Sequence, residues 1–203
     1  MQASVPDVPD WSRVALRAIA PRREAPLSNP ERPAMISAWG LGEIWPHAHK
    51  GVGDRMLELV VERSSFTRSA SGNVHASIHL VLDGRCFPDE RWDDFAVVIL
   101  GWWNEAVTRM ALGFSPREEL DFMDGPYSVH LELDPEGEIT LRCLKSGARD
   151  VEEAVGRIAL ATFIQTLLGA SRATLEVCKA HGWGGADFEN LSDRVEVLER
   201  AAT

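Results

Sequence analysis

Residues 74–110 read VHASIHLVLDGRCFPDERWDDFAVVILGWWNEAVTRM, and the hydrophobic period changes within them. Val74, Ala76, Ile78, Leu80 and Leu82 alternate with His75, Ser77, His79, Val81 and Asp83, the period of a strand with one buried and one mostly polar face. From Trp92 the period becomes that of a helix. Trp92, Phe95, Ile99, Trp102, Trp103, Ala106, Val107 and Met110 form one apolar stripe, and Gly113 is placed to end it. Asp83-Gly84 turns the chain, and Pro88-Asp89 is the expected start of the helix. A strand handing over to a Trp-rich core helix, with Trp102 and Trp103 both buried, is the nucleus of the expected fold.

Upstream, Met56–Phe66 reads as a second strand joined to the first through Ser71-Gly72-Asn73, a hairpin. Downstream, Leu120–Met123, Tyr127–Leu133 and Ile139–Leu144 read as three more strands, the last two linked by the turn Asp134-Pro135-Glu136-Gly137. Asp150 and Glu153 resemble a capping box, which predicts a long helical region from Val151 to Cys178, with Gly169 as a break. Asp187 is the expected cap of a terminal helix carrying Phe188, Leu191, Val195 and Leu198. These elements predict an α+β fold, a mostly antiparallel sheet of about five strands with helices packed on one face.

Seven of the eleven prolines lie within the first 46 residues. Residues 1–50 are therefore expected to form a Pro-rich N-terminal arm with a short helix after Asp10, and residues 51–203 a single α+β domain ending in long helices. The N-terminus lacks the basic start and apolar stretch of a secretory signal, and the longest apolar run, Phe95–Trp103, is about half of the ~20 residues that a membrane span needs. The expected location is cytoplasmic. Cys86, Cys143 and Cys178 sit among apolar neighbours and read as reduced core thiols.

The formal net charge is −10, and after residue 50 there are 26 carboxylates against 15 Lys and Arg. Such a chain lacks the basic footprint that phosphate backbones or anionic membranes require, so neither nucleic acid nor membrane is an expected partner. It favours fast, salt-dependent encounter with a basic protein. The polar sheet face gathers the candidate partner-binding residues: Glu58, Glu62, His75, His79, His130 and Glu132, with Ser77 and Arg142 beside them.

Three of those histidines suggest a second class, a metal-dependent hydrolase using His75, His79 or His130. Along one strand, however, His75 and His79 would lie roughly 13 Å apart at ~3.3 Å per residue. No HExxH, paired CxxC, GxSxG or phosphate-loop pattern supports catalysis, and no cofactor is expected. The Asp93-Asp94 and Glu118-Glu119-Asp121 groups read as solvated caps. A structural subunit of a homo-oligomer is a third class.

The segments Asp83-Gly84-Arg85-Cys86-Phe87-Pro88, Trp92 to Met110, and Phe122-Met123-Asp124-Gly125-Pro126-Tyr127 together resemble small bacterial polymorphic-toxin immunity-type proteins. The resemblance implies a cytoplasmic, non-enzymatic protein that binds and blocks a cognate toxin. It carries over no catalytic position.

Overall fold

Strand β3, Val74–Leu82, has the alternation read above, and four short strands pair antiparallel with it. A computed structural model describes residues 57–203, so the expected N-terminal arm lies outside the described residues. Strand β1, Leu57–Val61, pairs from Leu57 opposite Leu82 to Val61 opposite Ile78, completing the hairpin. A 3₁₀ turn, Arg63–Ser65, and β2, Thr67–Arg68, fill the return. Strand β4, Arg85–Phe87, lies on the opposite side of β3 from β1, since both pair with Leu80–Leu82. β5, Asp93–Asp94, pairs with Ala76 and Ser77.

The helix begins later than its stripe implies. Helix α1 is Ala96–Ala111, with Phe95 at its N-cap, and Trp92 precedes it. Trp103 is fully buried, donates its indole N–H to the Asp121 carbonyl at 2.8 Å and meets the Phe122 ring edge-on at 5.1 Å. Trp102 is 44% exposed, contrary to its expected core position. Neighbouring helical residues are 100° apart, and the core-facing stripe passes through only one of them.

The remaining strands make a separate antiparallel sheet in the order β6–β7–β8–β9: Arg117–Asp121, Tyr127–Leu133, Glu138–Lys145 and Val151–Ala159. The described residues thus form an α+β fold with nine strands in two sheets, where about five strands in one were expected. The largest departure is β9, because Val151–Ala159 was read as the opening of a helix. Ala154, Gly156 and Ile158 face inward, and the first two are small: Ala154 is half-buried, and Gly156 lies where an added Cβ would come within 2.8 Å of Leu82 Cδ2. Helix α2, Leu160–Ala180, starts only after it and continues through Gly169 without a break. Helix α3, Ala186–Ala201, has Gly185 rather than Asp187 at its N-cap, while Leu191, Val195 and Leu198 turn inward as read.

Both sheets and all three helices contribute to one apolar core. α1 packs against β3, β6, α2 and α3, and α2 against β1 and β9. Cys143 and Cys178 are buried, but Cys86 is exposed, so only two of the three thiols are core residues. Burial pushes the Cys143 thiol up to about 12. No helix among the described residues is long and apolar enough to cross a membrane.

Candidate functional site

Because side chains opposite one another in antiparallel strands project to the same face, the register decides which candidate residues meet. Glu58 stands opposite Val81, Val60 opposite His79, and the Glu62 N–H bonds to the Ser77 carbonyl. Glu58, Glu62, His75 and His79 therefore share the outer face of the first sheet. His130 and Glu132 lie on β7 in the second sheet, so the single face expected to hold all six is two faces. The histidine trio of the hydrolase reading does not converge, and among the described residues no three His, Cys, Asp or Glu side chains gather to hold a metal.

On the second sheet, cross-strand charges satisfy one another. Arg117 pairs with Glu132 at 2.8 Å, His130 with Glu119 at 2.9 Å and Arg142 with Glu152 at 2.8 Å, while Arg157 bonds Asp134. Glu118, read as a solvated cap, is instead largely covered and held by Arg109. Asp121 has its pKa raised, chiefly by burial and then by nearby Glu119.

The first sheet's outer face is different. A cleft of about 630 Å³ opens over β3, lined by Val60, Glu62, Ser64, Ser65, Ser77, His79, Glu90, Arg91 and Asp93. The 3₁₀ turn builds one wall. Glu62 caps that turn, accepting from the Ser64 N–H and hydroxyl, the latter at 2.7 Å, and these bonds lower its pKa. The Ser65 hydroxyl donates to the Glu62 carbonyl and accepts the Ser77 N–H, tying the turn to β3. The opposite wall, Glu90 to Asp93, was expected to be the first turn of a helix. It is instead a loop leading into β5, and Ser77 donates its hydroxyl to the Glu90 carbonyl.

Asp93 and Asp94 alternate across β5. Asp94 is fully buried and accepts from the Trp92 indole and the Phe95, Met123 and Asp124 N–H groups, pinning the 122–124 segment to this strand. That overturns its reading as a solvated cap. Asp93 points outward, 3.4 Å from His75 Nδ1, and the His75 ring packs on Phe95 at 4.1 Å.

His79 is only 5% exposed, and its Nδ1 has no hydrogen-bond partner. Burial lowers its pKa, with Glu90 and Asp89 opposing. Among the described residues, no Lys or Arg pairs with Glu58, Glu62, Glu90 or Asp93, whereas most arginines elsewhere are taken by carboxylates. Glu90, Arg91 and Asp93 were missed as site residues because a loop of mixed charge carries no periodic signal. Only the pairing of β5 with β3 brings them over His79.

No known family, curated protein or solved structure matches this chain.

Proposed function

We propose that this protein is an acidic, non-enzymatic interaction protein of the cytoplasm, an immunity-type inhibitor that binds a basic surface of a cognate bacterial toxin and blocks it. The observation that supports this reading is the set of carboxylates Glu58, Glu62, Glu90 and Asp93, which share one sheet face with no Lys or Arg partner among the described residues. Among the described residues Arg91 is the one guanidinium lining this cleft, so carboxylates outnumber it and their net negative field supports steering of an oppositely charged protein. Glu132, bonded to Arg117 on the other sheet, does not belong to this surface.

The test is association with the product of the adjacent reading frame, followed by stopped flow at low and physiological salt. Reversing Glu58, Glu62 and Glu90 to Lys should slow association by about tenfold or more, with a flatter salt dependence. Glu132→Lys should leave the rate nearly unchanged. Equal effects from the two faces, or none from the first, would remove this reading.

A further inference from the structure

We infer that the cleft over His79 seats an arginine side chain of that protein partner, with the guanidinium among the Glu62, Glu90 and Asp93 carboxylates and the His79 imidazole as a further hydrogen-bonding group. This rests on the docking reading above and narrows it to one residue type. Buried polar side chains are nearly always hydrogen-bonded, and His79 is an exception at 5% exposure with an unpartnered Nδ1. The cleft around it has a surplus of acceptors. Both Ser64 bonds to Glu62 fall on Oε1, and among the described residues neither Glu62 Oε2 nor the Glu90 carboxylate has a hydrogen-bond or ion-pair partner. Among the described residues Arg91 is the one guanidinium in the lining, and it makes no ion pair there.

These acceptors are spread around a cavity of about 630 Å³. They do not converge tightly enough to hold a metal ion. The cation that suits dispersed acceptors is extended and rich in donors: guanidinium has five N–H groups on a rigid plane, against three on a compact, strongly hydrated ammonium. Arginine is also enriched at protein interfaces, where lysine is depleted.

The experiment titrates the full, ¹⁵N-labelled chain with N-acetyl-arginine amide and, separately, N-acetyl-lysine amide, following the histidine ring nitrogens by long-range ¹H–¹⁵N correlation. The arginine amide should shift the His79 ring signals saturably while leaving those of His130 in place. The lysine amide should bind about fivefold more weakly or worse. Glu62→Gln with Glu90→Gln, both exposed positions, should weaken the arginine amide about tenfold without altering the rest of the spectrum. An unmoved His79, equal binding of the two amides, or an indifferent double variant would overturn the inference. If His79 stays unmoved while charge reversal still slows association with the toxin, the arginine seat falls and the docking face stands. If the arginine amide binds but charge reversal leaves association unchanged, the docking reading falls, and with it the assignment of that arginine to a protein partner.

Discussion

Trp102 and Trp103 are adjacent in sequence and opposite in environment, and their substitution measures how α1 is oriented. Trp103→Ala removes a fully buried indole together with its hydrogen bond to the Asp121 carbonyl, and should lower stability by about 3–5 kcal/mol in urea denaturation. Trp102→Ala, at 44% exposure, should cost less than about 1 kcal/mol. Equal losses would mean that the helix is rotated relative to its assigned face. The stripe from Phe95 to Met110 was legible in the sequence, but its width was not. The helical spacing does separate the two tryptophans: Trp102 stands three residues before Glu105 and seven before Arg109 on the exposed face, whereas Trp103 is in line with Ile99, Val107 and Met110. Asp94 was hidden for a different reason. A carboxylate beside another carboxylate reads as solvated, and only the approach of the Met123 and Asp124 N–H groups makes its burial tolerable.

Among the elements, β9 was hardest to read, and its misreading has a physical cause. Val151, Val155 and Ile158 fall at helical spacing, while two of the three residues that face the core, Ala154 and Gly156, are too small to make with Ile158 a legible apolar alternation. Gly156 is small because Leu82 on β3 reaches across to this strand. Gly156→Val should therefore destabilise by about 1–3 kcal/mol, as overfilled cores do, and Leu82→Ala in the same chain should restore part of that loss. Additive losses in the double variant, measured by urea titration, would mean that the two positions do not touch. By contrast, β7 and β8 were legible almost to the residue, because large alternating side chains and a strong turn coincide there.

At the scale of the whole molecule, two sheets share one core, and no set of apolar residues belongs to either sheet alone. Unfolding monitored by tryptophan fluorescence and by far-ultraviolet circular dichroism should thus give coincident transitions for the described body. Two separated transitions would show that the sheets are independent. Turn signals in the sequence reveal which strands are consecutive, not where a row of strands ends, so the division into two sheets is not legible there. The consequence for the candidate site is direct: four of the six residues expected on one surface stayed together, and His130 and Glu132 went elsewhere. The contrast between the two outer faces also bears on how the chain changes over generations. On the second sheet a charge lost at Arg117 can be answered at Glu132, so inherited substitutions there should travel in pairs within this chain. On the first, Glu62 and Glu90 have no such counterpart among the described residues, and under the docking proposal the residues whose histories track theirs should be found in another protein's lineage.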